Sequence, residues 1–310
     1  MTKRPPLPEG LGDHFGVSLG GTEGVSRSRA RASDLESHFR GSRSIRLDRP
    51  EANGLTAAQH FEELQNDLIA RCNAYLPVAP VDFRFGFVTA ARLYRIPIPQ
   101  ALYRRASLDV AVPGTAYPPR MKGVTGHRMT SLPQLELRGG LPILPPEVVW
   151  LQLAPLLTLD ELIVAGDHLV RRKRPESSME KLRDVVVAHG AQKGAVRARA
   201  AVEEVRPGTD SPKESEMRLV LVRAGLPEPV IGFTVFDATG GWVGTPDLAY
   251  VKQRVALDYE GEVHRIDERT FLGDIERREM FADAGWRHIR VTKDHLRSPH
   301  RLISRVAPLL

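Results

Sequence analysis

Three carboxylates near the carboxyl end of the chain, Asp247, Asp258 and Glu260, have the types and spacing to hold a divalent cation. Asp247 lies five residues before Lys252 and Asp258 five residues after Gln253, so a symmetric reversal at Lys252-Gln253 sets the two acids opposite each other. Directly opposed residues of a hairpin have Cβ atoms about 4.5–5.5 Å apart. Glu260 follows Asp258 by two, which puts both on one face of a strand, while Leu257 and Tyr259 turn to the apolar side. Converging carboxylates repel unless a cation neutralises them, and hard oxygen ligands select Mg²⁺ or Mn²⁺. Such an ion activates water and stabilises the charge that develops on a phosphodiester oxygen. The same residues also suit the solvated face of a hairpin, and on their spacing alone both readings stand.

The elements that must position these acids are legible on either side. Ser211-Pro212-Lys213-Glu214 combines a helix N-cap, a proline at the first helical position and an acid at the third, so Glu214 has a sufficient role as a capping-box acid. Met217, Leu219, Val220 and Leu221 follow before Gly225 closes the helix. Residues 230–237, 243–250 and 254–260 read as strands, with a turn at Thr239-Gly240-Gly241. His264 comes next, then a helix over 268–284 carrying Asp274, Arg277 and Arg278, a strand over 286–291 and a last helix from Ser298-Pro299. The order is helix, three strands, helix, strand, helix.

This segment, 211–310, resembles the endonuclease-like domain common in actinobacterial proteins, related to very-short-patch-repair endonucleases within the PD-(D/E)XK nuclease superfamily. The resemblance rests on Ser211-Pro212 with Glu214, Pro246-Asp247, Asp258-Tyr259-Glu260-Gly261 with His264, Asp274 with Arg277 or Arg278, and the run Gly285-Trp286-Arg287-His288-Ile289-Arg290-Val291. It implies that Asp247 is the first metal-binding aspartate and that Asp258 and Glu260 are the second carboxylate pair. It further implies that Glu214 adds the acid of the first helix and that His264 orients water or a phosphate. Arg277 and Arg278, flanked by Glu276 and Glu279, are candidate nucleic-acid contacts.

Upstream, seven arginines fall between His14 and Arg49. That stretch reads as a helix from His14, a Gly24-Val25-Ser26 turn, a second helix across 27–38 and a wing-like turn at 40–43. A helix-turn-helix lays such a second helix in the major groove, with Arg27, Arg29 and Arg31 as candidate DNA contacts; a flexible basic arm is the other reading. Residues 51–170 carry helical spacing around Phe61, Leu64 and Leu68, and short strands at 108–113 and 124–127. Residues 145–153 and 159–169 read as helices. Gly24-Val25-Ser26, Thr89-Ala90-Ala91-Arg92-Leu93, Ile96-Pro97-Ile98-Pro99 and Gly166-Asp167 resemble the winged-helix and middle regions of type IV antitoxins of the abortive-infection class. That resemblance implies DNA binding or regulation. Residues 171–210 read as a basic connecting helix and linker, ending at Pro207-Gly208-Thr209-Asp210.

The expected fold class is α/β (α+β). A restriction-endonuclease-like mixed sheet flanked by helices follows a helix-turn-helix or winged-helix-like segment (14–50) and a mixed α/β middle region (51–170), with residues 1–13 flexible. Composition sets limits on the rest. Cys72 is the sole cysteine, so no intramolecular disulfide forms and no multi-thiolate zinc site can be built. A net charge of +6 favours polyanionic partners. The longest apolar stretch, 141–157, is broken by four prolines and Glu147, which argues against a membrane span. The first six residues lack the apolar core of a signal peptide, so cytoplasm is the expected location. The expectation is a Mg²⁺- or Mn²⁺-dependent DNA endonuclease; the alternative is a non-catalytic DNA-binding regulator, antitoxin-like, with a degenerate nuclease domain.

Overall fold

The computed structural model describes residues 5–46, 54–260 and 268–310, with side chains described from Glu276 onward in the last stretch. The chain is mixed α/β and divides into two compact units, Met1–Leu153 and Ala154–Leu310.

The first unit opens with β1 (His14–Gly16), α1 (Val17–Thr22), β2 (Leu35–Glu36) and β3 (Ser42–Ile45), the strands forming a sheet of order β1-β3-β2. The expected second helix over 27–38 does not form. Gly24 takes a left-handed φ of +88°, Ser26 Oγ accepts the Arg29 N–H at 3.1 Å, and only a three-residue 3-10 turn, Arg29–Arg31, follows. The residues read as a wing-like turn lead into β3. Within the stretch 1–13 expected to be flexible, Leu11 is buried with Phe15, Val25, Ala30 and Leu35, and Leu7 packs against them. Next come α2 (Ala57–Tyr75), β4 (Arg84–Phe85), α3 (Phe87–Leu93), α4 (Gln100–Tyr103), β5 (Leu108–Pro113), β6 (Val124–Met129), β7 (Glu136–Arg138), β8 (Leu141–Ile143) and α5 (Pro146–Leu153). Thr56 and Gln59 cap α2 reciprocally. The five strands form a mixed sheet of order β6-β5-β4-β8-β7.

The second unit begins with α6 (Leu159–Leu169), α7 (Met179–His189), α8 (Ala195–Glu204) and α9 (Pro212–Arg223). Residues 171–210, expected as a connecting helix and linker, are instead two helices with an apolar seam: Leu182, Val186, Ala198, Ala201 and Val202 are buried. A buried ion pair ties them to the rest of the unit. The Arg218 guanidinium, 1% exposed, donates to Asp167 on α6, itself fully buried, at 3.0 Å, to the Glu204 carbonyl on α8 at 3.0 Å, and to Glu228 at 2.9 Å.

The remaining elements are β9 (Val230–Ile231), β10 (Val235–Phe236), β11 (Trp242–Gly244), β12 (Leu248–Tyr250), β13 (Val255–Tyr259), α10 (Glu268–Asp283), β14 (Arg287–Val291), α11 (Lys293–Arg297) and α12 (Pro299–Val306). Two of the long strands expected from sequence are each broken in two, leaving a separate β10-β11 ladder beside a sheet of order β14-β13-β12-β9. β12 and β13 are antiparallel, with Leu248 opposite Leu257, whereas β13 and β14 are parallel. Alternation then divides the sheet's residues between two cores. Leu248, Tyr250, Val255, Leu257, Ile289 and Val291 pack with Met217 and Leu221 of α9 and Leu302 and Val306 of α12. Ala249 and Ala256 face the other way, toward Val243, Trp286 and Phe281 of α10. Gly244 permits that close approach, because a Cβ there would stand 3.1 Å from the Phe281 ring.

Candidate carboxylate site

The hairpin register carries one step past Leu248 and Leu257 to Asp247 and Asp258, on the face that α10 covers. The two acids are laced together through the backbone: the Asp247 N–H donates to Asp258 Oδ1 at 2.9 Å, and the Tyr259 N–H donates to Asp247 Oδ2 at 2.7 Å. Their second oxygens meet different surroundings. Asp258 Oδ2 accepts from Arg277 Nε at 3.0 Å and from His288 Nε2 at 2.8 Å. Burial pushes the Asp258 carboxyl up, but His288 and Arg277 outweigh it and hold the group below the usual carboxylate range. Arg277 also donates to the Thr245 carbonyl at 3.2 Å and lies 5.4 Å over the Phe281 ring. Phe281 stacks on His288 at 4.9 Å. One helix thus supplies both the cation on Asp258 and the ring that seats the histidine.

Among the described residues no cation is bonded to Asp247 in this way. Burial pushes its carboxyl up to about 7, and the negative charges of Glu214 and Asp258 add to the rise against the N–H of Tyr259 and the charge of Arg277. Glu214 is 8% exposed. Its carboxylate accepts the Asp210 N–H at 2.8 Å, while its own N–H donates to Ser211 Oγ at 3.3 Å. It closes the helix start as expected, one residue further back than the N-cap, and burial raises its carboxyl too. Arg172, whose guanidinium is bound to Asp210, lies within electrostatic reach of Glu214 and Asp247.

The acids therefore group differently from the expected trio. Glu214 joins Asp247 and Asp258 electrostatically, whereas Glu260 is ion-paired with Arg290 and its N–H donates to the Val291 carbonyl at 2.8 Å. Among the described residues no three His, Cys, Asp or Glu side chains are grouped so that together they could hold a metal ion. His264 lies outside the described residues. Arg277 is drawn inward onto Asp258, and Arg278 beside it is exposed.

In the first unit Arg29 cannot serve as a phosphate contact. It is 9% exposed and holds Asp34 through two bonds of 3.0 and 2.8 Å, with its Nε on the Pro5 carbonyl. Arg27 and Arg31 are exposed. The sequence reading assigned no role to His288. The parallel register that pairs Ala256 with His288 and brings the ring beside Asp258 is a long-range fact, and only the alternation of the strand over 287–291 hinted at it.

Two uncharacterized proteins of Mycobacterium tuberculosis, from strains CDC 1551/Oshkosh and ATCC 25618/H37Rv, are each 25% identical to the chain over 220 residues, which is 71% of this chain and 78% of theirs. No protein-family model matches the chain, and no solved structure gives a significant match. No described helix is long and apolar enough to cross a membrane.

Proposed function

We propose that the carboxylate cluster is the active site of a cytoplasmic, Mg²⁺- or Mn²⁺-dependent DNA endonuclease, and that 211–310 is a restriction-endonuclease-like domain related to very-short-patch-repair enzymes. One observation carries the reading: Asp247 is a half-buried carboxylate beside two other acids, held by the Tyr259 N–H and, among the described residues, with no cation bonded to it. A group so placed is relieved by a divalent ion. Mg²⁺ generally takes one or two carboxylates and completes its shell with water and substrate phosphate, so an incomplete protein cage suits it. The residues that fit are Asp247 first, with Glu214 and Asp258 beside it. The chemistry a bound ion supplies is activation of water and neutralisation of charge at the phosphodiester.

The protein's own part is positioning. The Asp247 and Tyr259 N–H groups fix the two aspartates against each other, and Arg277 and His288 hold Asp258 ionised, so its charge does not depend on the ion. The same two residues favour a second reading. With both Asp258 oxygens already bound, the site suits a DNA-binding regulator that has kept the fold and lost the chemistry.

Incubation of purified protein with plasmid DNA and Mn²⁺ separates the two. The nuclease reading expects nicking or linearisation that EDTA abolishes and that falls by at least about 100-fold in Asp247→Asn, the scale of losing a principal transition-state contact. Salt-sensitive DNA binding without cleavage would establish the regulator instead.

A further inference from the structure

On the edge-strand side of the same sheet lies a cleft of about 820 Å³, lined by Arg278 of α10, Trp286, Arg287 and His288 at the start of β14, and Ser304 and Arg305 of α12. Its lining has three guanidinium groups and no carboxylate. No carboxylate among the described residues pairs with Arg278 or Arg287, and both are exposed. Arg305 is steadied by the Arg290 carbonyl at 3.2 Å and by His295 Nε2 at 3.0 Å, contacts that fix it without neutralising it. His288 in the lining is 4% exposed and reaches Asp258 through Nε2, while its Nδ1 is buried with no hydrogen-bond partner. A concentration of fixed positive charge without counter-charge is maintained against its own repulsion, and an anion relieves it.

We infer that this cleft is the track for the phosphate backbone of a DNA strand, delivering it past β14 to the carboxylate cluster. The cations come from three separate elements strung along the edge of the sheet, since among the described residues β14 has a strand on one side alone. That spread suits successive phosphates better than one enclosed anion. The cleft also adjoins the acids covalently and by contact: Arg278 follows Arg277, which holds Asp258, and His288 belongs to both. The inference rests on the nuclease reading for what happens to the strand, but the cleft's affinity does not require cleavage.

The test is binding of a fluorescently labelled 20-base-pair duplex to the full-length protein in EDTA, followed by anisotropy over a range of salt. Arg278→Gln with Arg287→Gln is compared with Lys181→Gln with Arg183→Gln, an equal loss of charge on the exposed side of α7. The cleft pair should weaken binding about 10-fold or more at low salt and flatten the slope of log K against log salt by about 1.8, two phosphate contacts at roughly 0.9 each. The α7 pair should leave affinity within about 2-fold and the slope unchanged. Equal effects of the two pairs would overturn the inference, as would no effect of either or no duplex binding by the wild type. Displacement of the duplex by millimolar inorganic phosphate at constant ionic strength would also overturn it, marking a small-anion site. Because metal is absent throughout, a protein that binds here and never cuts would contradict the nuclease reading alone.

Discussion

Asp247 and Asp258 are joined by a single backbone hydrogen bond on each side, yet their charges are managed in opposite ways. Asp258 has a guanidinium and an imidazole; Asp247 has Glu214. The consequence is a pH dependence whose sign can be worked out. The folded pKa of Asp247, about 7, lies above the unfolded value near 3.9, so the native state binds the extra proton and stability falls as pH rises from about 4 through 7. Glu214 acts in the same direction. Asp258, depressed in the fold, contributes stability that is present above about pH 4 and lost as pH falls further. In EDTA the urea midpoint of the wild type should therefore be lower at pH 8 than at pH 5. Asp247→Asn should remove much of that difference, which is at most about 2.7 kcal/mol, since only the two pH units from 5 to 7 contribute at about 1.36 kcal/mol each. An Asp247→Asn protein with the wild-type pH profile would contradict the assignment. Opposition of these two acids was legible because hairpin symmetry is local, a matter of counting to Lys252-Gln253. The pairing of Glu260 with Arg290 was not, because it depends on a parallel strand thirty positions on whose register no local pattern specifies.

Helices with strong end signals were the most legible elements. Thr158 caps α6 with Glu161, Ser211 caps α9, and the apolar spacing between such caps and the closing residues delimits each helix. The arginine-rich stretch over 27–38 failed because its charges suggested a solvated helix, whereas Arg29 is turned inward onto Asp34 and the chain around it is a turn between short strands. The basic residues of 171–206 misled in a similar way. They conceal a small-residue seam, Ala195, Ala198, Ala201 and Val202, through which α8 packs in the second unit. This gives α9 neighbours on which it depends. A fragment of residues 211–310 leaves Arg218 without Asp167 and without the Glu204 carbonyl. Arg218 keeps Glu228 in that fragment, but the face of α9 that α6 covers, with buried Leu219, is opened to water, and losing that packing takes a large share of the roughly 5–15 kcal/mol that holds a domain folded. Residues 154–310 should give a cooperative thermal transition by circular dichroism, and 211–310 should not. An equally sharp transition in the shorter fragment would show that α6 and α8 are dispensable.

Across the whole chain, the boundary between compact units at Leu153 and Ala154 falls inside the stretch that composition grouped as one middle region. No shift of charge or glycine content marks it, because α5 and α6 are both apolar helices and what separates them is which core each one enters. The mixed α/β class was legible from alternating periodicities, and the position of the acids from the hairpin. Everything proposed for the site turns on whether Asp247 and Glu214, with Asp258 beside them, are the acids that hold a divalent ion. Titration calorimetry of the full chain with Mn²⁺ at pH 7.5 answers that question. One Mn²⁺ per chain is expected, weakened at least about 10-fold in both Glu214→Gln and Asp247→Asn and unchanged in Glu260→Gln, whose carboxylate is committed to Arg290. Loss of binding in Glu260→Gln with retention in Glu214→Gln, or no Mn²⁺ bound by the wild type, would contradict it.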